Sequence, residues 1–221
     1  TDGPHGIRPE VLWDEWEQAG WTMDSCTAFP ALTALSATWD VEMSALYGKS
    51  IGEEARYRGK DVLLGPGVNI YRTPLNGRNF EYMGEDPYLS ASMVVPYVKG
   101  VQANNVATCV KHYCLNNEET HRHTTDVDLS DRALYEIYLP AFKAAVQEGG
   151  SWTIMSSYNL YQGQHVSHNK RLLVDILKGE WGFDGAVISD WGGVHDTREA
   201  IENGMDIEFG SWTDGPTMGR T

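Results

Sequence analysis

Along the chain, short runs of apolar and β-branched residues alternate with longer stretches in which apolar residues recur at helical spacing. Six runs read as strands: 26–29, 62–64, 107–111, 153–157, 186–190 and 206–209. Several are nearly continuous in apolar character, as in strands buried on both faces. Between them, 39–58 reads as a helix with Trp39, Met43, Tyr47, Ile51 and Ala55 recurring every four residues and Thr38 as N-cap. Further helices are predicted over 90–104, 131–148, 170–180 and 194–203, with Pro140 kinking or restarting the one that contains it. Asn169 and Asn203-Gly204 supply start and stop signals.

Strands separated by helices imply βα units on a parallel sheet, an α/β fold. No repeat, low-complexity tract or linker divides the chain, so residues 1–221 read as part of a single domain. The strands suit a doubly wound sheet or most of a (β/α)8 TIM-like barrel. A barrel takes about 250 residues, so about six of its eight units fit this length. Both architectures put chemistry at the carboxyl ends of the strands.

Composition narrows the choice of partner. The chain has 221 residues, 41% of them hydrophobic, enough for a sizeable core. Its net charge of −14 argues against a nucleic-acid backbone or an anionic membrane as partner. No apolar run approaches the roughly 18 residues of a membrane span. Cys26, Cys109 and Cys114 are odd in number and lack metal-type spacing, so each reads as a small buried hydrophobe. No basic, apolar leader is visible, and both ends read as mid-fold loops, so a piece of a longer protein is expected.

Polar residues gather where the predicted strands stop. After 62–64 come Gly65-Pro66-Gly67-Val68-Asn69, then Arg72 and Asn76 to Glu81; Lys111-His112 follows Val110, Tyr158-Asn159 follows Ser157, and Asp190-Trp191 follows Ser189. A strand ending in Asp-Trp offers an anionic oxygen beside a large flat apolar face, a pairing that suits an anomeric carbon and the C–H face of a sugar ring. By spacing alone Asp190 is equally a cap for the next helix, and Lys111 is a barrel-core ion pair or a Schiff-base lysine. His112, His121 and His123 lack helical i, i+4 spacing and a matched carboxylate, so no metal is expected. Glu85-Asp86 before Pro87 reads as turn or cap chemistry, Glu118-Glu119 as a solvated loop, and Gly65-Pro66-Gly67 lacks the third glycine of a dinucleotide fingerprint.

Together these residues resemble glycoside hydrolase family 3 β-glucosidases. The likeness rests on Asp2-Gly3-Pro4-His5-Gly6-Ile7-Arg8, Gly77-Arg78-Asn79-Phe80-Glu81 with Gly84-Glu85-Asp86-Pro87, and Lys111-His112-Tyr113. Asn116 to Thr120, Ser130 to Arg132 with Leu139 to Phe142, Met155 to Asn159 and Ser189-Asp190-Trp191 extend it in the family's order over almost the whole chain. The resemblance implies an N-terminal (β/α)8-barrel domain and retaining hydrolysis of terminal β-D-glucosyl residues through a glycosyl-aspartate. It implies Asp190 as nucleophile, Trp191 as sugar platform, and Asp2, Arg78, Lys111, His112 and Tyr158 around the non-reducing-end sugar, with Glu81 in support. Asp2 in Asp-Gly-Pro-His-Gly looks like the glucose-specific form rather than the β-xylosidase-type Glu-Ala-Leu-His-Gly. Tyr113-Cys114-Leu115-Asn116-Asn117 disfavours the N-acetylglucosaminidase branch.

In the family's β-glucosidases the acid/base Glu lies in a later domain, so it is expected outside this chain. A glucoside-binding remnant without turnover is the alternative of a different class, and a lyase using Lys111 is a third. No cofactor is implied. The implied partners are a β-glucoside or cello-oligosaccharide and the remaining domains of a full-length enzyme, and a homodimer is compatible. A bacterial periplasmic or secreted location is slightly favoured over the cytoplasm.

Overall fold

The computed structural model describes residues 1–8, 11–12, 17–18 and 26–210. Its centre is a parallel four-stranded sheet of β1 (Val62–Leu63), β2 (Ala107–Tyr113), β3 (Thr153–Ser156) and β4 (Ala186–Ile188), paired in chain order. Register runs Val62 to Ala107, Cys109 to Thr153 and Thr153 to Ala186. A doubly wound sheet reverses its order at a switch point. No such reversal occurs among the described strands, which leaves the barrel alternative.

Alternation along the strands sorts their side chains into two layers. Leu63, Val110, Ile154 and Val187 join the large cluster that includes the helices. Leu64, Cys109, Met155 and Ile188 form a separate small cluster, one residue from each strand line, as in a layer of a barrel interior. Two residues further along the same faces stand Lys111 after Cys109 and Asp190 after Ile188. The period-two rule therefore places a lysine and an aspartate directly above an apolar layer, at the carboxyl end of the sheet.

The predicted strand at 26–29 is not a strand. It is an extended loop tied to the rest by Phe29 N donating to His5 O at 3.1 Å. The outer position beside β1 is taken instead by Asp2, which bridges Leu64 in parallel. At the other edge, 206–209 contributes only the bridge between Ile188 and Ile207, because the Asp206 carboxylate accepts from Val187 N and pairs with Lys178. The strand predicted over 186–190 ends at Ile188.

Helix α1 (Val41–Tyr57) is capped by Asp40, whose Oδ1 accepts from Glu42 N and Met43 N, rather than by Thr38. Thr38 holds the preceding turn by donating to Leu35 O, and its hydroxyl accepts from Asp40 N. Trp39 precedes the helix in a left-handed conformation and is 76% exposed, so the expected apolar face reduces to Tyr47, Ile51 and Ala55. Helix α2 (Pro87–Gln102) is capped by Asp86 through Leu89 N at 2.6 Å, the cap chemistry expected there. Helix α1 crosses α2 at glycines: a Cβ on Gly48 would collide with Tyr97 O, and one on Gly100 would lie 2.6 Å from Ala45 O. Gly48→Ala should therefore cost about 1–3 kcal/mol by overpacking, against the slight gain that alanine brings to an open helix. Chemical denaturation of the two proteins measures this difference.

Pro140 restarts its helix, as expected. A turn at Asp131–Ala133 leads into a π-type segment, Leu134–Tyr138, where Leu139 N reaches back five residues to Leu134 O. Pro140 then opens α3 (Pro140–Gln147) at the position where its missing N–H is harmless. Asn169 caps the next helical stretch, Arg171–Glu180, by accepting from Leu172 N. The last helix among the described residues, α4 (Thr197–Glu202), is capped by Asp196. That observation removes the capping alternative for Asp190.

Candidate active site

Segment 65–68 continues alongside β2, with Cys109 N donating to Gly65 O, Lys111 N to Pro66 O and Val68 N to Lys111 O. Asn69 then clasps the next residue: its Nδ2 donates to His112 O and its Oδ1 accepts from His112 N at 2.7 Å. Both Lys111 and His112 are thereby held at the mouth of the sheet, 3% and 1% exposed.

Lys111 Nζ donates to Asp2 Oδ1 at 2.9 Å and lies 3.5 Å from Glu81 Oε2. The alternative of a barrel-core ion pair is thus realised. Burial pushes the Asp2 carboxyl up, but the charge and hydrogen bond of Lys111 outweigh it and hold Asp2 below its ordinary value. Glu81 is the bidentate partner of Arg78, through Nε at 2.8 Å and Nη2 at 3.2 Å. Burial opposes the guanidinium charge, and Glu81 more than restores it.

The Arg78 Nη2 also lies 3.0 Å from His112 Nε2. Arginine can only donate, so Nε2 is the acceptor and Nδ1 carries the proton toward the Tyr82 hydroxyl at 3.0 Å. Burial, then the nearby Arg78 and Lys111 charges, push His112 well below its ordinary pKa, and it is neutral.

Asp190 is 5% exposed and lies across from this cluster, with Oδ2 3.6 Å from His112 Nε2. Its Oδ1 accepts from Trp191 N at 2.8 Å, while Oδ2 is buried without a hydrogen-bond partner. Neutral His112, its Nε2 lone pair engaged by Arg78, offers Oδ2 no proton. Burial raises the Asp190 pKa above its ordinary value, opposed by the hydrogen bond from the Trp191 amide. Tyr158 is itself pushed up by burial and then by Asp190, so its phenol stays protonated and available as a donor. Trp191, 38% exposed, packs on Phe209 at 5.1 Å beside the opening.

The seven residues singled out from sequence, Asp2, Arg78, Lys111, His112, Tyr158, Asp190 and Trp191, are thus linked by neighbouring contacts at the carboxyl end of the sheet. Glu119 departs from the expected solvated loop. It bridges Arg122 at 2.7 Å and Arg78 at 3.8 Å, and accepts from Asn116 Nδ2, whereas Glu118 does face solvent. Arg122, given no role from sequence, lies over the Tyr158 ring at 4.2 Å. Tyr82, which with Asn69 fixes His112, was also given no role, because neither it nor Arg122 has a local sequence signal. The histidines once weighed as a metal set part company: His112 is buried in the site, His121 sits in an exposed left-handed turn and His123 packs on Tyr158.

Parallel strands in unbroken order, an apolar interior layer and a carboxylate-centred polar opening at the strand ends define an α/β domain of the TIM-like barrel class. Residues 4–208 match the Glycosyl hydrolase family 3 N terminal domain, and the chain belongs to that family. It is 67% identical to Beta-glucosidase BoGH3A of Bacteroides ovatus over 217 residues, 98% of this chain and 29% of that relative. The β-glucosidase of Kluyveromyces marxianus in complex with glucose superposes with a TM-score of 0.89 at 40% identity, over 96% of this chain and 25% of that one. Beta-glucosidase 3B of Thermotoga neapolitana in complex with glucose gives 0.88 at 43% identity, over 94% and 28%. The chain therefore spans under a third of the length of each of these relatives.

Proposed function

We propose that this domain supplies the nucleophile and the non-reducing-end sugar pocket of a retaining β-glucosidase. The observation that carries the reading is the Asp190 carboxylate, buried, with Oδ2 free of hydrogen bonds and facing the Arg78, Lys111 and His112 cluster. Oδ2 attacks C1 of a β-glucoside. The C1–O bond breaks with its electron pair passing to the leaving oxygen, which takes a proton from an acid, and glucosyl-Asp190 results. Water then attacks C1, loses its proton to the same group acting as base, and releases Asp190. The acid/base is assigned to a part of the polypeptide outside this chain. Lys111 and Arg78 donate to sugar hydroxyls by charge-assisted bonds, and Asp2 accepts from them. Tyr158 steadies the carboxylate, and Trp191 offers a face to the ring. Relatives whose names specify β-glucosidase, two of them with glucose bound, support glucose as the sugar.

The test is covalent capture. A 2-deoxy-2-fluoro-β-D-glucoside with an activated leaving group needs no acid to form the intermediate, and its fluorine slows hydrolysis. Mass spectrometry should find one fluoroglucosyl group on the peptide containing Asp190, and no adduct would overturn the proposal. Only the ionised carboxylate attacks, and burial raises its pKa, so the rate of labelling should fall with pH along an acid limb lying above 3.8.

A further inference from the structure

Arg122 has no part in the sugar pocket described above, yet its guanidinium lies over the ring of Tyr158, with Cζ 4.2 Å from the centroid. The loop after β2 fixes that cation. Arg122 Nη1 donates to Glu119 Oε2 at 2.7 Å, and Glu119 Oε1 accepts from Asn116 Nδ2 at 2.8 Å. Asn116 is fully buried, and the Arg122 and Glu119 side chains are 30% and 20% exposed, so the pair is partly shielded from water. The backbone around Tyr158 is set by Ser157 N donating to Tyr113 O at 2.9 Å and by the Tyr158 carbonyl, 3.2 Å from His165 Nδ1. The direction of the ring is left to its neighbours, the Arg122 guanidinium and the His123 ring at 4.4 Å.

A cation is attracted to the negative face of an aromatic ring. On a phenol the same charge also draws electron density from the oxygen and strengthens the O–H as a donor. Arg122 accordingly opposes the rise that burial and Asp190 impose on the Tyr158 pKa. The other charged groups near Asp190 are already engaged, Arg78 with Glu81 and His112, and Lys111 with Asp2. Asp190 Oδ2 has no hydrogen-bond partner, because Trp191 N is committed to Oδ1 and neutral His112 carries no proton on Nε2. The phenol is therefore the neighbouring donor left to serve Oδ2.

We propose that Arg122, anchored by Glu119, is a positioning residue for the nucleophile, orienting the Tyr158 ring and strengthening its phenol as the donor to Asp190 Oδ2. This role rests on the function proposed above. It matters most in the second half of that reaction. Water attacks C1 and gives its proton to the acid/base, while the C1–Oδ2 bond breaks and its electron pair returns to Oδ2. A donor aimed at Oδ2 stabilises the returning charge.

The experiment compares wild type, Arg122→Met, Arg122→Lys, Tyr158→Phe and the double variant Arg122→Met/Tyr158→Phe in the full polypeptide. 2-Deoxy-2-fluoro-β-D-glucosyl fluoride labels Asp190, and the labelled protein then reactivates in water. Arg122→Met should slow reactivation by roughly 3–30-fold, the effect of losing one cation from a ring. It should also move the acid limb of labelling to higher pH, because a weaker donor leaves Asp190 protonated further up the scale. Arg122→Lys, which keeps the charge, should recover part of both. On top of Tyr158→Phe, Arg122→Met should add little, since the hydroxyl through which it acts is gone. Glucose affinity should hold in the Arg122 variants, because Asp2, Arg78 and Lys111 remain, and it reports that they fold. Additive effects of the two substitutions, unchanged reactivation, an unmoved acid limb, or a fall in glucose affinity matching the fall in rate overturn the positioning role. Failure of the fluoride to label wild type overturns instead the function on which that role rests.

Discussion

Asp190→Asn should abolish covalent labelling by the fluoroglucosides, by roughly 10⁴–10⁶-fold, because the amide has no nucleophilic oxygen to offer C1. The substitution preserves volume, and Oδ1 keeps its hydrogen bond from Trp191 N. The same variant should be more stable than wild type near neutral pH, melting about 2–4 °C higher. The sign follows from burial. A carboxyl whose pKa is raised in the folded state binds its proton more tightly there than in the unfolded chain, so its ionised form costs stability. That cost is present in full above the raised pKa and disappears as pH falls through it toward the unfolded value. The advantage of the asparagine variant should shrink over the same interval. Thermal melts of both proteins at pH 7 and across the acid range, alongside labelling rates, separate this outcome from simple misfolding. A variant that is both unlabelled and less stable would contradict it.

Lys111→Met should cost both binding and stability, the second-largest effect expected. Methionine fills the space of the lysine stem but leaves Asp2 and Glu81 without their shared cation. Glu81 keeps Arg78, while Asp2 keeps half its access to water, the side chain being 41% exposed. The stability loss should therefore fall below the roughly 3–5 kcal/mol of a fully buried broken pair. Loss of a charge-assisted donor to a sugar hydroxyl costs about 1.5–3 kcal/mol, a weakening of glucose binding by about 10–150-fold. Titration calorimetry with glucose gives the first quantity and chemical denaturation the second. Unchanged glucose affinity would remove Lys111 from the sugar pocket.

Much of this was legible from pattern alone. Apolar periodicity located α1, α2 and the helical stretch restarted at Pro140, because those residues must cover a sheet. Asp190 and Lys111 stood out in the pattern as polar residues closing otherwise apolar strands, whereas their roles rested on the family resemblance alone. Most of what escaped depended on chain distant in sequence. The run at 26–29 has strand composition, yet Asp2 took the place beside Leu64, and nothing local ranks the two segments. Thr38 and Asp40 are both competent caps, and only the turn at Trp39 decides between them. Glu119 looked solvated because its partners, Arg78 and Arg122, approach only in the folded site.

The contact between Asp2 and Lys111 spans 109 residues of chain. The two groups meet only when Asp2 has paired beside Leu64 and β1 beside β2. Closing so long a loop carries an entropic cost that sheet formation must first offset. If the proposed function holds, sugar binding is a measure of completed topology, and its recovery after denaturation would time this long-range closure.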